Sequence, residues 1–113
     1  MRQLPAIPAM PPCPVPTACA TRWRHVSVNA PALYIDPYYA TYPGTIRGVS
    51  AVPQRVPARA EDAFQPRPET IAAVAAGAKS LLINSPNNPT GVVYSRATLE
   101  GIARVCIDHD LWL

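Results

Sequence analysis

The chain has 113 residues, room for one domain or part of one, and carries ten basic and seven acidic side chains for a net charge of +3. Fifteen prolines lift that residue far above its usual ~5 % share, and no run of about 18 apolar residues provides a membrane span. The basic excess belongs to the first sixty residues, where six arginines face the single acid Asp36. It never gathers with aromatics into a patch, which sets nucleic-acid binding aside.

Met1 to Thr21 holds Pro5, Pro8, Pro11, Pro12, Pro14 and Pro16 among small residues, a density that neither a helix nor a central strand tolerates. An extended, exposed arm over residues 1–31 is expected. The prolines argue against an amphipathic transit helix, and no apolar segment follows the early arginines to make a secretory leader. Trp23 to Asn29 alternates weakly through Val26 and Val28. Ala32 to Ile35 then reads as a short apolar strand, ending at Asp36-Pro37, where the residue before proline is held out of the helical region.

Tyr38, Tyr39 and Tyr42 follow directly. Their rings suit packing against a sheet edge or contact with a planar ligand, and the residues alone leave both open. A short helical or irregular crossover is expected over 43–47, and Val49 to Val56 suggests a strand interrupted by Pro53. Pro57 to Pro68 reads as a polar loop. Glu69 to Ala76 reads as a helix with Pro68 in its first turn, Ile71 and Val74 on one face, and Gly77 closing it.

The most informative stretch is Lys79 to Tyr94, KSLLINSPNNPTGVVY. Leu81, Leu82 and Ile83 form a buried-strand run. The chain then turns through Asn84 to Gly91, where Pro86 and Pro89 fix φ and Gly91 can take an angle other residues avoid. The carboxamides of Asn87 and Asn88 sit between those prolines, in a loop leaving a strand end, the place where open α/β sheets bind ligands. Ser95 is the expected N-cap of a helix with Leu99, Ile102, Ala103 and Cys106 at helical spacing. Leu111-Trp112-Leu113 begins a further apolar strand.

Cys13, Cys19 and Cys106 give an odd count without metal or secretory disulfide spacing, which points to a reduced, cytoplasmic protein. Cys106 and His109 lie three apart with no further ligand nearby, so no metal site is assigned. The order strand, crossover, helix, strand predicts an α/β fold built on a parallel sheet. With so few strands it reads as part of a larger three-layer domain.

DPYYATY (Asp36 to Tyr42), PETIAAVAAGAKSLLINSPNNPTGVVYSRATLEGIA (Pro68 to Ala103) and HDLWL (His109 to Leu113) resemble the class I/II aminotransferases of pyridoxal-phosphate fold type I. The likeness covers about residues 32–113 and implies a piece of that family's large, cofactor-binding domain, preceded by the unrelated arm 1–31. It implies pyridoxal 5′-phosphate as cofactor, amino acids and 2-oxo acids as substrates, and a homodimer. Asn88 matches the asparagine that bonds the cofactor's phenolic oxygen, and Tyr39 the aromatic that stacks on its ring. Pro89 and Gly91 would shape the loop, with the Asn88-Pro89 bond cis as in relatives. The family's lysine and its ring-nitrogen aspartate would fall after HDLWL, and no phosphate-binding turn matches upstream of DPYY. No catalytic residue is therefore assigned within the chain. Another fold type I outcome such as C–S lysis, or a non-catalytic remnant serving as an interaction module, are the alternatives.

Overall fold

The computed structural model describes residues 29–113. The expectations for the Pro-rich segment and for the alternation at Trp23 to Val28 lie outside the described residues. Three strands form a parallel sheet: β1 (Pro31–Asp36), β2 (Val52–Pro57) and β3 (Ser80–Leu82), in the order β2-β1-β3. Tyr34 faces Arg55 on one side and Leu82 on the other. Beyond β3, Trp112 forms a parallel bridge to Ser80, so the closing apolar run does extend the sheet, with Leu111 buried behind it.

The β1 side chains alternate between faces, as strand geometry demands. Leu33 and Ile35 join Val56, Leu81, Ile71, Ile102, Val105 and Cys106 in the main core. This face is covered by α2 (Pro68–Val74) and α3 (Arg96–Asp108). Ala32 and Tyr34 turn to the other face and meet Ile46 of α1 (Tyr42–Gly48), with Tyr38, Tyr42 and Ala51 packed around them. Helices on both faces of a parallel sheet are the expected three layers, here partial. Over β3 the α1 face stays open as an apolar groove of about 450 Å³ lined by Ala32, Ile46, Val49, Leu82 and Trp112.

The helices start and stop for local reasons. Ser95 accepts a hydrogen bond from the Thr98 N–H at 3.1 Å, satisfying one of the orphan donors of α3, as its sequence suggests. Along α3, Ile102, Val105 and Cys106 are buried while Leu99 is largely exposed. Pro68 opens α2, whose end passes through Ala75 to Gly77 at φ +77°. Between β2 and α2 the loop makes one 3-10 turn, Ala60–Asp62, and the Arg67 guanidinium pairs with Asp62.

One expectation needs correction. Pro53 does not interrupt the second strand, which runs through it from Val52 to Pro57. The Val52 N–H donates to Ala30 O and the Ala58 N–H to Asp36 O, so even-numbered β2 residues direct their donors at β1. Residues 53, 55 and 57 face outward by alternation, and two of those three are prolines, which have no donor to lose. Proline is tolerated because β2 is the outer strand.

Candidate active site at the carboxyl ends of β1 and β3

β1 and β3 are neighbours, yet the helices that follow them pack on opposite faces: α1 over Ala32 and Tyr34, α3 over Leu33 and Leu81. The two loops leaving these strands start at neighbouring strand ends, the topological switch point of an open parallel sheet. Tyr39 lies on the first loop and Asn88 on the second.

The three tyrosines separate in the structure. Tyr38 sets its ring edge-on to Tyr34, with centroids 4.9 Å apart, and is half-buried. Tyr42 packs into the smaller core. Tyr39 remains 45 % exposed, touching Tyr42 edge-on at 5.9 Å. Its ring is the one of the three left largely in solvent.

The second loop is held from within. Gly91 adopts φ +73°, a left-handed value that suits glycine, and its N–H donates to Asn87 O at 2.6 Å. The Asn87 N–H donates to Val92 O at 2.8 Å. The Asn88-Pro89 bond is cis, as the resemblance implied, and so are Asp36-Pro37 and Ser85-Pro86. The Tyr94 N–H donates to Ser85 Oγ at 2.9 Å, drawing the two limbs of the loop together. At its far end Gln65 clamps the entry to α3, accepting from the Ser95 N–H and Thr98 Oγ1 and donating to Val93 O, each at 3.0 Å.

The two asparagines take different places. Asn88 is exposed, whereas Asn87 is 5 % exposed and is the buried polar residue of the described chain. The Asn87 Nδ2 group faces Asn84 Oδ1 at 3.1 Å, the Tyr94 hydroxyl at 3.3 Å and Pro37 O at 3.4 Å. Its Oδ1 accepts from Thr90 Oγ1 at 2.8 Å and the Thr90 N–H at 3.3 Å. Burial pushes the Tyr94 phenol upward, partly offset by the Asn87 hydrogen bond. Sequence reasoning named Asn87 beside Asn88 but gave a contact only to Asn88, and it gave no role to Tyr94 or Gln65. Neighbouring residues of one type give no sequence signal of which is buried.

Lys79 sits at the other end of the sheet. Its N–H donates to Pro31 O at 3.0 Å, at the start of β1, while Pro37, just past the end of β1, meets Asn87. Cys106 is buried in the core, its thiol pushed upward by desolvation, and no cluster able to hold a metal ion occurs among the described residues.

A parallel α/β sheet with two loops poised at its switch point defines the class of protein. Residues 26–113 match the family described as Aminotransferase class I and II. The chain is 39 % identical over 82 residues to the aspartate/prephenate aminotransferase of Thermus thermophilus, covering 72 % of this chain and 21 % of that one. It is 37 % identical over 79 residues to the arginine–pyruvate transaminase of Pseudomonas aeruginosa, covering 69 % and 20 %. Among solved structures, aspartate aminotransferase from Thermus thermophilus with maleate superposes with a TM-score of 0.73 at 36 % identity, over 78 % of this chain and 23 % of that one. An aromatic aminotransferase from Pyrococcus horikoshii reaches 0.73 at 31 % identity, over 76 % and 23 %. The chain belongs to the aminotransferase class I and II family, which depends on pyridoxal phosphate. It spans about a fifth of the length of the curated relatives it matches.

The two loops suit part of that cofactor. An exposed tyrosine ring offers a flat apolar face, and an exposed carboxamide offers a donor for a ring oxygen. Residues 37–41 and 83–95 include no lysine or arginine, so these loops fit the ring and bring no cation to a phosphate.

Proposed function

We propose that the chain supplies part of the cofactor site of a pyridoxal-phosphate-dependent aminotransferase that moves an amino group between an amino acid and a 2-oxo acid. The observation that carries this reading is the placement of Tyr39 and Asn88 on the loops that leave the neighbouring strands β1 and β3, with Asn87 Nδ2 facing Pro37 O between those loops. The names of the relatives support the reaction class. Residues 32–113 are read as part of the large cofactor-binding domain, with 1–31 as an arm before it. A homodimer and a cytoplasmic location complete the proposal, the latter resting on an odd cysteine count without secretory disulfide spacing.

Asn88 would donate a hydrogen bond from Nδ2 to the ring oxygen, which stabilises negative charge there. Tyr39 would lie against the ring, excluding water from one face and fixing the ring plane. Pro89 and Gly91 set the backbone that presents Asn88. The bound cofactor would supply an electron sink for charge formed at the substrate α-carbon. Both contacts orient the ring, and the chain carries no residue we assign to proton transfer.

A chimera tests this. Residues 29–113 are placed in the Thermus thermophilus aspartate/prephenate aminotransferase in exchange for its matched segment. We expect cofactor absorbance and amino transfer to survive. Asn88→Ala in the chimera should weaken cofactor retention by about ten- to a hundredfold, the effect of losing a charge-assisted hydrogen bond of roughly 1.5–3 kcal/mol. A folded chimera in which Asn88→Ala changes neither retention nor spectrum would overturn the assignment.

A further inference from the structure

We propose that Asn87 is a positioning residue that sets the Tyr39 loop and the Asn88 loop in one fixed relation, a role that rests on reading those two residues as the ring contacts. The argument begins with burial. A carboxamide removed from water is destabilising unless its donors and acceptor are matched. Asn87 is 5 % exposed and its amide is matched at both ends. A residue that only closed its own loop would need partners from that loop alone. Asn84, Thr90 and Tyr94 are such partners.

Pro37 is different. It lies fifty residues earlier, directly after β1 and two residues before Tyr39, and its carbonyl faces the Asn87 Nδ2 group at 3.4 Å. Proline has no backbone N–H, so its carbonyl is the hydrogen-bonding group its backbone can offer to the neighbouring loop. On the other side, Asn87 O accepts from the Gly91 N–H at 2.6 Å and Asn87 N–H donates to Val92 O at 2.8 Å. Those bonds hold both sides of Asn87 immediately before Asn88. One buried side chain thus touches the lead-in to Tyr39 while its backbone orients the lead-in to Asn88. A shift of about 1 Å in such a pair is enough to lose two orders of magnitude in a well-positioned site.

The test is solution NMR on the full labelled chain with two variants. Asn87→Asp keeps oxygen acceptors for Thr90 and removes the Nδ2 donors. Thr90→Val removes the hydroxyl donor on the opposite arm of the amide, keeps the backbone N–H there and leaves Nδ2 in place. In the natural chain we expect nuclear Overhauser contacts from the Asn87 side-chain amide to Pro37 and Tyr38, with slowed exchange of that amide. Asn87→Asp should lose the contacts between the two loops while the β1 and β3 amides keep their protection, and Thr90→Val should keep them. Titration with 4′-deoxypyridoxine 5′-phosphate, which has the ring but no aldehyde, should move Tyr39 and Asn88 along one binding curve in the natural chain. In Asn87→Asp both should shift together to a higher midpoint, because the two contacts are no longer held in one relation before binding. Absence of the Asn87–Pro37 contacts in the natural chain overturns the proposal, as does an Asn87→Asp variant that keeps the loop contacts and the natural midpoint. If the probe moves neither residue while the loop contacts are present and lost in Asn87→Asp, the cofactor reading falls and the coupling of the loops stands.

Discussion

Asn87 and Asn88 share a residue type, a loop and two flanking prolines, yet one is buried and the other exposed. That difference comes from the tertiary neighbours Pro37 and Tyr94, which a linear reading cannot place. The residue types alone did not separate Tyr38, Tyr39 and Tyr42 for the same reason, and Tyr39 was singled out through the resemblance. Only the fold decides which ring meets Tyr34 and which is left outside. Tyr94 carries a measurable consequence of its burial. Its folded pKa lies above the ordinary 10.0, because desolvation penalises the phenolate, and Tyr34 shifts the same way for the same first cause. Below pH 10 both states hold the proton and the contribution is constant. Above it the unfolded chain gives up protons that the folded chain retains, so stability falls as pH rises from about 10 through the folded values. We expect denaturant midpoints to drop over that range, and Tyr94→Phe to flatten the drop. A midpoint independent of pH between 9 and 11 would contradict the burial described for these phenols.

At the scale of elements, β1, β3, α2 and α3 were legible because each has a local signal: an apolar run, a proline at the first turn, or a serine cap. The extent of β2 was not, because proline reads as a strand breaker unless the strand is known to be outermost. Edge position is a property of the whole sheet. Gly101 is the corresponding case for helices. Inside α3 a glycine is destabilising by about 1 kcal/mol relative to alanine, so sequence alone argues for Gly101→Ala as an improvement. The structure reverses the sign. A Cβ at Gly101 would lie 2.5 Å from Pro68 Cγ, in the closed ring that opens α2. Overpacking of that kind is destabilising by about 1–3 kcal/mol and outweighs the propensity gain. We expect Gly101→Ala to lower the urea midpoint, and Pro68→Ala combined with it to recover much of the loss. A Gly101→Ala chain more stable than the natural one would show that α2 and α3 do not meet so closely.

For the whole molecule, the placement of the single lysine leads to a prediction that runs against the family's activity. Covalent capture of pyridoxal phosphate requires an amine beside the ring, made reactive by its surroundings. Lys79 is the one lysine in the sequence, and it is bonded to the first residue of β1, whereas Asn87 is bonded past the last. The six steps of β1 from Pro31 to Pro37, at ~3.3 Å each, separate those anchor points by roughly 20 Å. One lysine side chain does not span that distance to the Tyr39 and Asn88 loops. The contacts within reach of a ring are one stacking surface and one hydrogen bond. The bond is worth roughly 1.5–3 kcal/mol, against the roughly 4–15 kcal/mol lost in immobilising a ligand. Chain 1–113 by itself should therefore show only weak, reversible binding. It should give no stoichiometric adduct after pyridoxal phosphate and borohydride, and no transfer of an amino group from aspartate to a 2-oxo acid. Mass analysis of the reduced protein and a coupled turnover assay read both outcomes. A one-to-one adduct on Lys79 that disappears when the chain is denatured, accompanied by amino transfer, would mean that the lysine reaches the Tyr39 and Asn88 loops and that the strand polarity of the sheet is wrong.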